Sequence, residues 1–319
     1  MNVRRRVFKR VAFAVIALYL VISLTFAVVV MTPDTNLRGE LGTAAWAGAS
    51  EEELAEIRST YLEARDRDAP LADRYVDWLV DVTLFRWGLS PTQDEPVVAV
   101  VAGALRRTAA YLIPGVAAAT VGGTALGLHS ARRRGTVSDR AGRLGSYVLL
   151  GLPSFWLATL VVAFLADTGG PLATLRGETG LLWTVVAPAG IVAAGLVAGQ
   201  VSLTRAHSVD HFGTNYVRFL RAKGLPEGAV SWRVLRNVVV PILSLLAAEL
   251  FSVLVLTVVV VETVFSIEGI GWLMYVATEN NDIPLILGTT VVFAVVGIGG
   301  SLIADLASAW LDPRVREGD

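Results

Sequence analysis

Six stretches of this sequence run for about 20 residues or more with almost no charge, and that pattern restricts the fold more than any other feature. A helix needs about 20 apolar residues to cross a hydrocarbon layer, because every backbone N–H and C=O must find its partner inside the segment. The pattern predicts membrane helices near residues 11–31, 108–129, 144–166, 181–203, 241–264 and 283–311. With 54% apolar and 17% charged residues and a mean hydropathy of +0.60, the 319-residue chain reads as an all-α polytopic membrane protein and not as a soluble enzyme. The opening MNVRRRVFKR has the basic head of a secretory signal peptide. The apolar run behind it lacks a small-x-small cleavage site, so it reads as an uncleaved first span.

The net charge of −1 hides a partition. Basic residues gather at the N-terminus (Arg4, Arg5, Arg6, Lys9, Arg10), in the second connection (Arg132, Arg133, Arg134, Arg140, Arg143), in the fourth (Arg205, Arg218, Arg221, Lys223, Arg233, Arg236) and in the tail (Arg314, Arg316). The third connection has only Arg176, and the fifth has Glu268, Glu279 and Asp282 with no basic residue. Lys and Arg beside span ends stay in the cytoplasm, so six spans with both termini cytoplasmic are expected.

This divides the chain into a cytoplasmic N-terminus with the first span (1–31), an extracytoplasmic acidic loop with a short helix (32–100), a core of five spans (101–311) containing an inner loop at 204–240, and a cytoplasmic tail (312–319). Within the acidic loop, SEEELAEIRSTYLEA reads as a capped helix, with Ser50 as N-cap, Glu53 three residues on, and Leu54, Ile57 and Tyr61 on one face. The loop is either a solvated excursion or a lid or docking element for an external partner; its acidity also suits a saline habitat.

Residues for chemistry are scarce. There is no cysteine, and of the three histidines only His207 and His211 share a helical spacing, without a carboxylate pattern for a metal. The two lysines, Lys9 and Lys223, follow no phosphate-cradling glycine loop, and no G-x-S-x-G, H-E-x-x-H or paired-carboxylate constellation occurs. Passage across the membrane, or reception of a signal, is left. An ion-coupled secondary transporter acting without an ATPase would need ionisable groups at mid-membrane. The candidates are Glu249, well inside the fifth span, and Glu262 and Asp305, placed near span ends where water is in reach.

The inner loop carries a mechanical signature. Residues 210–223 predict one short helix with Asp210 as N-cap; Gly224 ends it in a left-handed turn, and Pro226 opens a second short helix. Arg218, Arg221 and Lys223 complement the first helix's dipole, while Val217, Phe219, Leu220 and Leu225 offer apolar surface. Such a corner is either a basic anchor of topology or an element that docks in a groove of another protein.

NYVRFLRAKGLPEGAVSWRVLRNVVVPIL resembles the cytoplasmic loop of ABC importer permeases of the dipeptide, oligopeptide and nickel group, through Tyr216, Val217, Arg218, Arg221, Ala222, Lys223, Gly224 and Leu225. VVVETVFSIEGIGWLMYVATENNDIPLILG is similar to a second family stretch, at Glu262, Thr263, Phe265, Ser266, Gly269, Gly271, Asp282 and Pro284, and LDPRVREGD to its terminal motif, at residues 311–314. Two departures stand out: Arg218-Phe219-Leu220 replaces the generic Glu-Ala-Ala opening, and WRVLRN is one residue short of the usual spacing to Pro241. The resemblance implies the type I importer permease fold, six transmembrane helices with a cytoplasmic coupling-helix loop. It also implies alternating access for a peptide or related small solute, pairing with a second homologous permease, two ABC ATPase subunits that bind ATP and Mg, and an extracytoplasmic substrate-binding protein. Lipid surrounds the chain; no nucleic acid, and no cofactor on this chain, is implied.

Overall fold

The computed structural model describes residues 3–31, 35–63, 70–167 and 180–311. Among them the chain is helical nearly throughout, and its one extended pairing is an isolated bridge between Leu89 and Pro96. The helices are α1 (Val3–Met31), α2 (Thr35–Trp46), α3 (Glu51–Glu63), α4 (Leu71–Thr83), α5 (Val97–Arg132), α6 (Val137–Gly151), α7 (Ser154–Asp167), α8 (Ala187–Phe212), α9 (Asn215–Ala222), α10 (Glu227–Ser252), α11 (Val259–Phe265), α12 (Ile270–Glu279) and α13 (Ile283–Leu311).

Four described helices are long and apolar enough to cross a membrane: Val7–Val28, Val97–Arg132, Leu182–Phe212 and Ile283–Ile303. Two bent pairs, Val137–Gly151 with Ser154–Leu165 and Leu256–Phe265 with Ile270–Glu279, bring the count to six if each is one span. The stretch expected as one helix over 144–166 is thus broken by a 94° bend. Pro153 explains the break, since it disfavours helical backbone at Leu152, which is extended at ψ 117. A π-helical turn, Leu182–Val186, leads into α8 just before Pro188, which has no N–H to continue the normal ladder. A second, Val253–Val258, joins α10 to α11, so the fifth expected span is a continuous run of helix.

The chain forms two compact units. The first comprises Met1–Ala14, Gly103–Trp272 and Val295–Asp319. Its core gathers Tyr111 and Ala119 of α5, Ala158 of α7, Ile191, Val192 and Leu196 of α8, and Val261 and Phe265 of α11. Small residues let two backbones touch here. A Cβ on Gly115 would lie 2.8 Å from the Ala189 carbonyl oxygen, one on Gly123 2.6 Å from Gln200 Cβ, and one on Gly127 2.7 Å from Thr204 Cβ. With Ala119 these residues form a ladder of four-residue spacing along α5, the pattern that lets membrane helices approach closely.

The second unit comprises Val15–Ala102 and Leu273–Ala294. Ile22 of α1, Val82 of α4 and Val291 of α13 form its small core, flanked by Leu18, Trp78, Leu79 and Trp87. The acidic loop holds three helices where one was expected, and α5 begins at Val97, well before residue 108. The expected capping box is present. Ser50 N–H donates to Glu53 Oε2 at 2.8 Å, and Glu53 N–H donates to Ser50 Oγ at 3.3 Å. Hydrogen bonds from the Ser50 backbone and hydroxyl hold the Glu53 carboxyl below its ordinary range. Tyr61 is buried and Leu54 and Ile57 are half-buried, as their shared face requires.

Candidate functional site

The corner at residues 214–230 is built by ordinary helix-end chemistry. Helix α8 runs on to Phe212, so Asp210 lies in its last turn, and the residue that caps α9 is Thr214, whose Oγ1 accepts from Val217 N–H at 3.4 Å. Gly224 takes φ +75 as expected. Its N–H donates to the Arg221 carbonyl at 2.9 Å and Leu225 N–H to the Leu220 carbonyl at 3.3 Å, a Schellman closure. Pro226 then accepts from Ala229 and Val230 N–H, and α10 begins. There is no second short helix: the expected one is the first turns of the 26-residue α10, which runs unbroken through the WRVLRN stretch.

The apolar residues of α9 divide by face. Val217 and Leu220 are buried against Leu128, Ala131, Phe212, Val230 and Val234, with Leu225 half-buried beside them, so these three do not supply the outward apolar surface expected of them. Tyr216 and Phe219 do, at 51% and 54% exposure, and Ala222 is also exposed. Around them stand Arg218, Arg221 and Lys223, with the Lys223 ammonium 4.4 Å from the centre of the Phe219 ring. Arg221 grips Glu227 across the turn, Nε to Oε1 at 2.9 Å and Nη2 to Oε2 at 3.3 Å. The corner is therefore clamped, with aromatic and cationic groups on its outer surface.

Behind it lies an ionic knot that sequence reasoning missed. The buried carboxylate of Asp139 accepts from Ser130 Oγ at 2.5 Å, Gly135 N–H at 3.0 Å, and Arg205 Nε and Nη2 at 2.6 and 3.0 Å. It joins α5, α6 and α8. The available signal was Thr136, which caps α6 by accepting from Asp139 N–H three residues on; it marks a helix start but not the Arg205 pairing.

The second family stretch is organised by two carboxylates that cap helices. Glu262 was expected near water; it is fully buried. Its Oε1 accepts from Thr108 Oγ1 at 2.5 Å and Tyr111 Oη at 2.9 Å, and its Oε2 from Gly271 and Trp272 N–H at 2.7 and 2.9 Å. Those two amides belong to the first turn of α12, so Glu262 satisfies donors that the helix start leaves free. The glycines follow from the close fit: a Cβ on Gly269 would run into Glu262 and Thr108, and one on Gly271 would lie 2.7 Å from Val259 Cα. Phe265 is buried, and its carbonyl accepts from Trp183 Nε1 at 2.7 Å. Ser266 ends α11 in the left-handed region at φ 54, and Thr263 bonds back to its own helix at Val259.

Asp282 does the same for α13. Its Oδ1 accepts from Leu285 N–H at 3.1 Å, with Pro284 in the first turn, while Oδ2 accepts from Ser90 Oγ at 2.5 Å and Thr92 Oγ1 at 2.7 Å. Asp305 pairs with Arg10. The side chain of Glu249 and residues 312–314 of the terminal motif lie outside the described residues. Among the described residues no group of three His, Asp or Glu side chains could hold a metal.

The comparisons agree with this layout. Residues 123–317 match the family described as binding-protein-dependent transport system inner membrane component. The chain is 27% identical over 314 residues to the metal-staphylopine import system permease protein CntB of Staphylococcus aureus, covering 98% of each chain. It is 28% identical over 270 residues to the oligopeptide transport system permease protein AppB of Bacillus subtilis, covering 81% of this chain and 85% of that one. It is 27% identical over 314 residues to the dipeptide transport system permease protein DppB of Lactococcus lactis, covering 97% and 98%. Nearly all helical among its described residues, with four to six membrane-length elements, and matched over more than half its length, the chain belongs to the family of inner membrane components of binding-protein-dependent transport systems.

Proposed function

We propose that this permease forms half of the translocation pathway for small peptides, or a chemically related small solute, and works by alternating access. The names of AppB and DppB support peptides, and that of CntB extends the class to a metal complex. A second, homologous permease supplies the other half, an extracytoplasmic binding protein delivers the solute, and two ATPase subunits bind ATP and Mg in the cytoplasm, where both termini lie. The basic segments named above support that orientation.

The observation that carries this reading is the clamped corner. A helix of eight residues anchored by Val217 and Leu220, with Tyr216, Phe219 and cations facing outward, is suited to sit in a groove of an ATPase subunit and pass its movement to α8 and α10. An ion-coupled transporter acting alone is not favoured, because the chain belongs to a family of binding-protein-dependent transport components and two of its three candidate carboxylates are engaged, Glu262 in capping a helix and Asp305 with Arg10. The test is ATP hydrolysis by the reconstituted complex with Phe219→Glu in this chain. Loss of solute-stimulated hydrolysis with the subunits still assembled supports the docking role; full stimulation overturns it.

A further inference from the structure

Helix α4 turns back alongside α1. The Tyr19 hydroxyl is 3.1 Å from Thr83 Oγ1, Ser23 Oγ is 2.7 Å from the Tyr75 hydroxyl, and the Phe26 ring meets those of Tyr75 and Trp78 at 5.4 and 6.0 Å. Tyr19 lies well inside the apolar run that ends at Val28, so the last turn of α4 reaches about 13 Å below that end at 1.5 Å per residue. Yet α4 carries charge to that depth, and charge at membrane depth faces water, a partner or a passing solute.

Two adjoining cavities of about 250 and 310 Å³ open between α4, the last turns of α1 and the first turns of α13. Both are lined by Trp78, Trp87 and Asp81; Arg86 adds to the smaller, Arg74 and Asp77 to the larger. Among the described residues none of Arg74, Asp77, Asp81 and Arg86 has an ion-pair or side-chain hydrogen-bond partner. Trp78 Nε1 is buried and equally without a partner. Opposite charges held on one cleft without neutralising each other, between indole walls and beside an unused indole N–H, are complementary to a small molecule bearing both charges. The carboxylates and ring faces suit an ammonium, and the guanidinium forks suit a carboxylate.

We propose that this cleft binds a zwitterionic, peptide-like solute in its larger cavity, its ammonium at Asp77 and Asp81 and its carboxylate at Arg74, with Arg86 adding positive charge from the adjoining smaller cavity. The assignment rests on the peptide reading above and adds a site to it. Phosphatidylethanolamine carries similar charges on its headgroup, and the test separates the two sources.

The assembled transporter is placed in nanodiscs of phosphatidylglycerol alone, and binding of dialanine, N-acetyl-dialanine and dialanine amide is followed by saturation-transfer NMR. Asp77→Asn with Asp81→Asn should weaken dialanine about tenfold or more while leaving N-acetyl-dialanine, which has no ammonium, unchanged. Arg74→Gln with Arg86→Gln should weaken dialanine similarly and leave dialanine amide unchanged. This pairing of ligand group with residue is one that general unfolding does not produce. Dialanine affinity within twofold of wild type in both variants overturns the site, as does loss of binding when phosphatidylethanolamine is added, which would assign the cleft to lipid. Uptake by the same complex in proteoliposomes separates the two claims. Charge-dependent binding without dialanine uptake removes the peptide cargo and keeps the cleft; uptake with unaltered binding in the variants removes the cleft and keeps the cargo.

Discussion

Arg221 and Glu227 are joined by two parallel hydrogen bonds across the Gly224 turn, so the last turn of α9 and the first of α10 are held at a fixed angle. Both side chains are partly exposed, and the pair contributes no more than about 1 kcal/mol to stability. Its value lies in geometry. Glu227→Gln should leave assembly and melting temperature nearly unchanged while lowering solute-stimulated ATP hydrolysis severalfold; unchanged stimulation in reconstituted complexes would show that the angle is set by Gly224 alone.

Gly224→Val tests the turn itself. The left-handed backbone at φ +75 costs a β-branched residue about 1–2 kcal/mol, although no atom lies within 4 Å of the added Cβ. The chain should therefore still insert, and uptake and stimulated ATP hydrolysis should both fall. Wild-type rates from the reconstituted variant would remove the turn from the coupling route.

Glu262→Gln should destabilise the permease by about 2–3 kcal/mol, because the amide nitrogen would face N–H and O–H donors that now meet a carboxylate. Tyr111→Phe removes one donor and should cost about 1 kcal/mol. Denaturation in detergent, followed by the near-ultraviolet signal, gives the two values, and equal losses would contradict the four-donor arrangement.

Asp139→Asn leaves the Arg205 guanidinium without its counter-charge in a largely enclosed place, at a cost of about 3 kcal/mol. Adding Arg205→Gln should recover part of it. Additive losses in that double-mutant cycle would mean that the residues do not act as a pair.

The pH response of α3 follows from Glu53. Its carboxyl is held below the ordinary range in the folded chain, so the cap's contribution is present above that range and is lost as pH falls through the lowered value. Amide exchange over residues 51–56, corrected for intrinsic rates, should accelerate on acidification in the wild type, and Ser50→Ala should be fast at both ends of the range.

Much of this architecture was legible because it depends on local rules. Apolar run length placed helix within each of the six expected stretches, although the one over 144–166 is two helices meeting at a 94° bend; Gly224 and Pro226 marked the corner, and Ser50 with Glu53 marked a helix start. What was missed depends on pairing over long separations. Nothing in the neighbourhood of Glu262 names Thr108 and Tyr111, and nothing near Asp139 names Arg205. Burial reversed the reading of α9 for the same reason, since Val217 and Phe219 look alike in sequence until Phe212, Val230 and Val234 cover only one of them. Asp210 misled because α8 continued past a residue that also suits a cap.

The glycine ladder of α5 removes the compliant layer that normally separates two helices. At Gly115, Gly123 and Gly127 the α5 backbone lies directly against the Ala189 carbonyl and the Cβ atoms of Gln200 and Thr204, so little soft packing separates α5 from α8 and the two form a stiff pair. Helix α8 is 26 residues long, about 39 Å, and α9 follows two residues after its end. In the coupling proposed above, a shove delivered at Phe219 would be carried as a tilt along this stiff pair, with little of its stroke lost to soft packing on the way.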